Sequence, residues 1–210
     1  MPNSYICSNL HSFDIAREGY VNLLMSNYKA SKLIGDTKEM VIARSEFLNK
    51  GFYDNISETI TDSIIKKLKD NTLRILDAGC GEGYYTNQIH HQLKDSELNL
   101  TFFGFDLSKD AIRFAAKKYK EIDFIVANTY NKITFVDNSI DIIINWKEQF
   151  ELISNISLTK IELLDINDIK NLIRMTPLNT KMTDDLWNKV NLIKRRSITF
   201  SFNILYMKRR

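Results

Sequence analysis

The sequence predicts an α/β fold in which a mostly parallel sheet is covered by helices on both faces. Between Leu73 and Ile144, short apolar runs alternate with amphipathic segments, which is typical of parallel strands connected by helices. A glycine-rich turn follows the first of these runs and leads into a helix. The 210 residues, of which 44% are apolar, suffice for one substantial core but not for two full-sized domains.

Charge and cysteine content limit the classes of protein to which the chain can belong. The net charge of +3 identifies no nucleic-acid partner by itself, and the basic clusters 117–118, 194–196 and 208–210 fit either phosphate contacts or a solvated surface. Cys7 and Cys80 make no disulfide framework, which favours a reducing compartment. The sequence shows no targeting segment and no run of about 20 apolar residues, so we expect a cytoplasmic protein without a membrane span.

Two helices are predicted ahead of the sheet. Residues 1–34 show no sustained period, so we expect them to form an irregular appended segment. Asp36 is the predicted N-cap of the first helix, and Gly51 is its predicted end. The second helix is predicted from apolar residues at four-residue intervals, namely Ile56, Ile60, Ile64 and Leu68.

The sheet region is predicted to have the order βαβαββ. Its strands are 73–78, 100–106, 122–127 and 140–144, and its helices are 84–93 and a segment capped by Ser108. The alternation weakens after residue 146. The remaining chain is predicted as one or two strands at 150–164, helices at 166–175 and 183–193, and a closing strand at 197–207.

The first strand ends in the motif Asp77-Ala78-Gly79-Cys80-Gly81-Glu82-Gly83. Glycines at alternate positions between a strand and a helix allow the backbone to approach a ligand at the carboxyl edge of a Rossmann-like sheet. Side chains at these glycines would occupy the space that the ligand needs. The glycines alone leave alternatives open, because nicotinamide enzymes use a related turn and because a tight strand–helix connection also favours glycine.

Polar residues that follow the next two strands favour a nucleoside ligand. Asp106 ends the second strand, where a carboxylate can accept hydrogen bonds from both ribose hydroxyls, although a simple helix-entry residue is the alternative. Asn128 follows the third strand and is predicted to meet the adenine edge, with an ordinary loop amide as the alternative. Asp77 precedes the first glycine. Asp77, Asp106 and Asn128 together favour S-adenosylmethionine as the cofactor.

Several further motifs occur along the chain. They are the N-terminal run Tyr5-Ile6-Cys7-Ser8-Asn9-Leu10-His11-Ser12-Phe13-Asp14, then Gly35-Asp36, Gly81-Glu82-Gly83-Tyr84-Tyr85-Thr86, Gly104-Phe105-Asp106-Leu107-Ser108 and Met175-Thr176-Pro177. Together they resemble one family, the RlmA-type methyltransferases that modify guanine N1 in large-subunit ribosomal RNA, including their macrolide-resistance relatives. The resemblance covers nearly the whole chain, with gaps.

The resemblance implies a fold, a cofactor and some site residues. It implies the Rossmann-like class I fold of S-adenosylmethionine-dependent methyltransferases, with large-subunit ribosomal RNA as the partner. Gly81 and Glu82 fall on cofactor-contact positions of the family. Tyr53 falls on the position of a tyrosine that reaches the cofactor, although a packing aromatic is the alternative.

The chain departs from the family pattern in two places. Family members bind zinc through a Cys-x-x-Cys pair and a later Cys-x-x-x-His pair, and only the second pair, Cys7 and His11, is present here. Since a structural zinc needs four ligands, we expect an incomplete metal site and no zinc. After Trp146 a long family segment is missing, so the sheet is expected to lack one central strand unless the C-terminal strand moves inward to pair with the fourth.

The resulting hypothesis is an RNA guanine-N1 methyltransferase with three parts: a remnant of the zinc-binding segment at 1–34, a helical linker at 35–72, and a methyltransferase domain at 73–210 that is shortened after about residue 146. One alternative is a degenerate paralogue that binds the cofactor without methylating RNA. Another is a nicotinamide-dependent oxidoreductase. The sequence identifies no general base, and it leaves open whether Trp146 stacks on a base and whether the protein forms a homodimer.

Overall fold

The computed structural model describes residues 4–24, 36–67, 71–94, 96–128, 140–144 and 150–209. These residues belong to two compact units. The first unit is made of residues 1–38 and 67–146, and the second of residues 39–66 and 147–210.

The first unit is built on a five-stranded sheet in which all the strand pairs are parallel. The strand order is β3-β6-β5-β4-β7. The strands are β3 (Val21–Asn22), β4 (Thr72–Ala78), β5 (Asn99–Asp106), β6 (Asp123–Val126) and β7 (Ile142–Ile144). The α/β fold class predicted from the sequence is therefore confirmed. The central strands begin and end within about two residues of their predicted bounds, which is the usual uncertainty of element ends.

Two helices cross between these strands. Helix α3 (Tyr84–Leu93) connects β4 to β5, and α4 (Lys109–Lys118) connects β5 to β6. As predicted, Ser108 caps α4: its side chain accepts a hydrogen bond from the backbone nitrogen of Ala111. The core of this unit contains fully buried apolar side chains from the strands and both helices, namely Ile75, Leu76, Phe102, Phe105, Phe124, Val126, Ile89, Leu93 and Ile112.

The N-terminal segment is more regular than the sequence predicts. Strands β1 (Ser4–Ile6) and β2 (Ser12–Asp14) form an antiparallel hairpin, and β3 pairs in parallel with β6 at the edge of the central sheet. The prediction of an irregular segment at 1–34 is therefore wrong for these residues. Strands of two or three residues are too short to show a periodicity of two, and their pairing with a distant strand is invisible in local sequence.

The second unit contains the remaining elements. Its helices are α1 (Lys38–Leu48, which begins at the end of the first unit), α2 (Asp54–Lys67), α5 (Ile166–Arg174), a short 3₁₀ helix (Pro177–Lys181) and α6 (Asp184–Asn191). Strands β8 (Phe150–Asp165) and β9 (Arg195–Arg209) form a long antiparallel ribbon with an irregularity between Leu152 and Ser154. The segment at 150–164 is thus a single strand, and both helices predicted after it are present.

Aromatic residues form a cluster in the second unit. The ring of Tyr53 lies 4.9 Å from that of Phe200 and 4.8 Å from that of Phe202, and the ring of Phe47 lies 5.3 Å from that of Tyr53. The inclinations are near perpendicular, which is a favoured arrangement for aromatic pairs. Phe200 and Phe202 are on the β9 face on which the sequence predicts alternating apolar residues.

Strands β8 and β9 pair with each other in a sheet of their own, and the described β7 residues pair with β4. The replacement of the missing central strand by the C-terminal strand stays a prediction. The domain bounds derived from the sequence also stay predictions. None of the described helices has the length and hydropathy that crossing a bilayer requires.

Candidate functional site

The glycine-rich loop lies between the end of β4 and the start of α3. Gly79, Gly81 and Gly83 all have left-handed backbones, with φ of 87°, 56° and 79°. The backbone nitrogens of Gly79 and Cys80 both donate to the carbonyl oxygen of Phe105, at 2.8 Å and 3.1 Å. The loop is therefore held against the end of β5, at the carboxyl edge of the sheet where the sequence predicts the ligand.

The glycines of the loop have different surroundings. A Cβ built on Gly79 would meet nothing within 4 Å in the described structure, so the space beside this residue is open. A Cβ on Gly83 would lie 2.9 Å from the Phe124 ring and 3.1 Å from the Ala115 side chain. Gly83 therefore allows close packing of α3 on the sheet, a role that the sequence analysis did not assign to it, and its contact with a cofactor stays a prediction.

Asp106 is held by the loop that it faces. Its Oδ2 accepts a hydrogen bond of 3.0 Å from the backbone nitrogen of Gly81, and its Oδ1 accepts one of 2.8 Å from that of Ser108. A carboxylate has about four acceptor positions, so these two bonds orient the group and leave capacity for further donors. This geometry fits the predicted role of Asp106 in accepting bonds from ribose hydroxyls.

Asp77 lies in a different environment from Asp106. Asp77 is only 1% exposed, and the hydroxyl of Thr86 donates to its Oδ2 at 2.6 Å. The contact ties the end of β4 to the first turn of α3, so Asp77 positions the loop whether or not it also meets a cofactor. Thr86 was not among the predicted site residues, although it lies three residues after Gly83, in the first turn of the helix.

Negative charge is concentrated around the loop. Cys80 is buried, and burial together with the nearby carboxylates of Asp77, Asp106 and Glu82 raises the pKa of its thiol well above the ordinary value. Glu82 is itself only 2% exposed. Three acidic side chains therefore converge on a loop of a few residues, and the site is suited to a ligand with positive charge.

Two other predicted cofactor residues lie in different parts of the structure. Asn128 lies two residues after the end of β6 and is partly exposed. The backbone nitrogen of its neighbour Ala127 donates to the carbonyl oxygen of Asp106 at 3.0 Å. The amide is thus at the same edge of the sheet as the loop. Tyr53 belongs to the second unit, where burial among aromatic rings raises its pKa to about 12. Packing accounts for this tyrosine, and its contact with a cofactor stays a prediction.

Cys7 and His11 lie together in the turn between β1 and β2. The Sγ of Cys7 is 3.5 Å from the Nδ1 of His11, and the backbone nitrogen of Cys7 donates to the carbonyl oxygen of His11. A structural zinc needs four ligands, and within the described ranges no group of three or more His, Cys, Asp or Glu residues could hold a metal. The described residues therefore do not make a complete zinc site. Trp146 lies outside the described residues.

Two family models match the chain. A methyltransferase domain matches residues 69–174, which include β4, the glycine loop, Asp106 and Asn128. The RlmA N-terminal model matches residues 1–32, which include Cys7 and His11. The resemblance that the sequence motifs indicate is confirmed by these matches.

Curated relatives of the chain are about 30% identical to it. A 23S rRNA (guanine(748)-N(1))-methyltransferase from Streptomyces fradiae is 31% identical over 66% of this chain and 48% of its own length. YxjB from Bacillus subtilis (strain 168), assigned as a 23S rRNA (guanine-N(1)-)-methyltransferase, is 32% identical over 72% of this chain and 55% of its own length. A similarly assigned protein from Micromonospora griseorubida is 29% identical over 69% and 51%. The chain thus spans about half the length of the relatives it matches.

Proposed function

The chain belongs to the methyltransferase domain family and carries an N-terminal segment of the RlmA type, and from that premise we propose that it transfers a methyl group from S-adenosylmethionine to N1 of a guanine in large-subunit ribosomal RNA. The concentration of carboxylates around an open glycine loop supports the cofactor part of the proposal. The N-terminal match and the relatives support the RNA part. A cytoplasmic location is compatible with a ribosomal substrate, and a homodimer stays a prediction.

The charge of the loop separates two classes of cofactor. S-adenosylmethionine carries a sulfonium and an ammonium group against one carboxylate, so its net charge is positive at neutral pH. A nicotinamide dinucleotide presents an anionic pyrophosphate to a glycine loop of this kind. Asp77 and Glu82 would attract the first and repel the second, whereas Asp106 fits the ribose of either cofactor. The acidic loop therefore supports S-adenosylmethionine over the oxidoreductase alternative.

The residues of the site fit a role in binding and orientation. When bound, S-adenosylmethionine would supply a methyl group on its sulfonium sulfur, and in-line attack on that methyl carbon by a guanine nitrogen would release the neutral thioether S-adenosylhomocysteine. Asp106 is oriented by Gly81 and Ser108 to accept ribose hydroxyl hydrogen bonds, and the open space beside Gly79 allows close approach. The described residues do not identify the group that takes the N1 proton. In this proposal the protein acts mainly by alignment, which can supply a large part of the rate enhancement.

The first experiment measures cofactor affinity by calorimetry for the unaltered chain, for Asp106→Asn and for Asp123→Asn. Asp123→Asn is the matched control, because it removes the same charge from an exposed residue at the start of the neighbouring strand. We expect Asp106→Asn to weaken binding at least about tenfold, since charged hydrogen bonds contribute about 1.5–3 kcal/mol and tenfold corresponds to about 1.4 kcal/mol. The control should bind like the unaltered chain.

The second experiment tests transfer to 23S ribosomal RNA transcribed in vitro. A methyl group on guanine N1 blocks the pairing edge, so a stop in primer extension locates the product. Transfer with cofactor binding supports the proposal. Binding without transfer would favour the cofactor-binding paralogue that has lost RNA methylation, an alternative suggested by the half-length match to the relatives. Tight binding of a nicotinamide dinucleotide in place of S-adenosylmethionine would overturn both.

A further inference from the structure

The connection between β8 and β9 has a net positive charge larger than that of the whole chain. Residues 166–196, named here the basic connection, contain seven lysines and arginines against three aspartates, a net charge of +4. The whole chain has a net charge of +3, so the other 179 residues together have a net charge of −1. A positive charge this local is an electrostatic footprint for a polyanion.

Ion pairs within the second unit neutralise two of the three acidic charges, and one of these pairs also uses a lysine of the connection, Lys189. Asp168 is 4% exposed and forms an ion pair with Lys50, which lies outside the basic connection. Asp185 pairs with Lys189 at 2.7 Å on the surface of α6. The third acidic residue of the basic connection is Asp184. The cations that face solvent around these pairs are Arg174, Lys181, Lys194, Arg195 and Arg196.

The topology gathers these cations at one end of the ribbon. Asp165 and Arg195 are cross-strand partners, so the basic connection begins and ends at neighbouring positions of the two strands. Helix α5, the 3₁₀ helix and α6 lie between these two points. A helix of nine residues is about 13 Å long, so the chain between Asp165 and Arg195 stays within a limited distance of this end of the ribbon.

An aromatic and apolar component accompanies the charge. The guanidinium carbon of Arg174 lies 5.5 Å from the centre of the Trp187 ring, which joins α5 to α6 through a cation–π contact. Trp187 is half-buried, and Leu178, Leu186 and Leu192 on the same segment are 57%, 41% and 83% exposed. Flat aromatic and guanidinium groups beside cations are the surface on which unpaired bases stack while their phosphates are neutralised.

We propose that the basic connection is an RNA-binding surface, which holds single-stranded segments of the RNA substrate through their phosphates and through stacking at Trp187 and Arg174. The inference rests on the proposed RNA substrate but assigns the contact to a segment outside the glycine loop and Asp106. Electrostatic contact of this kind holds the RNA without reading its sequence, because phosphate contacts carry no base identity.

The test measures the affinity of a fluorescein-labelled single-stranded RNA of about 20 nucleotides, long enough to span a typical binding site, at several salt concentrations. The variant Arg195→Gln/Arg196→Gln is compared with Lys117→Gln/Lys118→Gln, an exposed cation pair at the end of α4. Removing two phosphate contacts should lower the slope of log K against log salt by about 1.4 and weaken binding about tenfold or more near 0.1 M salt. The control pair should change neither quantity.

A second variant, Trp187→Leu, tests stacking, and it should weaken binding about fivefold or more while leaving the salt slope unchanged. Equal losses in the Arg195/Arg196 variant and the control would overturn the proposed surface, and so would binding of anionic lipid vesicles in place of RNA. Cofactor affinity and methyl transfer are measured on the same preparations. If the unaltered chain transfers methyl groups and the surface variants bind RNA as it does, this inference alone fails. If the unaltered chain does not bind S-adenosylmethionine, the proposed function fails.

Discussion

Individual residues of the glycine loop serve distinct physical purposes. Gly79 borders open space, Gly83 borders the Phe124 ring, and both have left-handed backbones. A side chain at either position pays the cost of that backbone, about 1–2 kcal/mol for a residue other than glycine. Only at Gly83 does a side chain also collide with the core. The two positions should therefore respond differently to the same substitution.

We expect Gly83→Ala to lower the free energy of unfolding by about 2–4 kcal/mol, because overpacking adds to the backbone cost. Gly79→Ala should lose only about 1–2 kcal/mol, but its new methyl group enters the space predicted for the cofactor, so S-adenosylmethionine should bind more weakly. Urea unfolding and calorimetry measure the two quantities. Gly19→Ala is the control: Gly19 has a φ of 103° and nothing within 4 Å of its Cβ position in the described structure. If Gly83→Ala were as stable as Gly79→Ala, the packing argument would fail.

The sequence predicts the role of a site residue when the contacts of that residue follow from its own strand, turn or helix. It does not predict a role that depends on a contact with a residue far away in the sequence. The loop and Asp106 are predictable because strand ends in a parallel sheet meet at one edge, and the structure places Gly81 in contact with Asp106. The packing role of Gly83 is not predictable, because Phe124 is 41 residues away and nothing in the local pattern links the two. The same holds for Tyr53, whose neighbours Phe200 and Phe202 lie on the last strand.

At the scale of elements, polar contacts join α1 to α5 in the second unit. Arg44 donates to the carbonyl oxygen of Met175 at 3.1 Å, and Asn171 donates to the Glu46 carboxylate at 2.9 Å. Just past the end of α1, Lys50 pairs with Asp168, which also belongs to the capping box of α5. The start of α5 is thus fixed both by its own cap and by a cation from the turn that follows α1.

We expect Lys50→Met to lower the free energy of unfolding by about 1–2 kcal/mol, since it leaves the buried Asp168 carboxylate without its cation while the lysine end of the pair is partly solvated. The matched control Lys189→Met breaks the exposed pair with Asp185 and should cost less than about 0.5 kcal/mol. The hydrogen bond to Asp168 raises the pKa of Lys50, so the contribution is complete at neutral pH and is lost as the pH rises from the ordinary lysine pKa through that elevated value. Urea unfolding at pH 7 compares the variants, and equal losses would contradict the argument.

The length of an element decides how well the sequence predicts it. Helix α2 contains Ile56, Ile60 and Ile64, on which its prediction depends. The bounds of α5, α6 and β9 differ from prediction by at most two residues. Strand β3 has only two residues and depends on its parallel partner β6 for its hydrogen bonds. Its existence follows from tertiary pairing rather than from local propensity, and a reading of local sequence could not find it.

At the scale of the whole molecule, the acidic and basic features lie in different units. The acidic loop, with Asp77, Glu82 and Asp106, belongs to the first unit, while the basic connection belongs to the second. Cofactor and RNA would thus meet surfaces of opposite charge, and neither surface would compete for the other's ligand. It follows that binding of the cofactor should act on the stability of the first unit independently of the positive charge elsewhere.

Cofactor linkage provides the test at this scale. At a concentration about 100 times its Kd, S-adenosylmethionine should stabilise the unit that binds it by about 2.7 kcal/mol. Hydrogen exchange should therefore slow at amides that exchange by unfolding of the first unit, including those of 75–78 and 102–105, and heat denaturation of that unit should move upward by several degrees. The Arg195→Gln/Arg196→Gln variant should show the same shift, whereas Asp106→Asn should show a much smaller one at the same cofactor concentration. A shift of equal size with a nicotinamide dinucleotide, or in Asp106→Asn, would contradict the assignment of the acidic loop to S-adenosylmethionine.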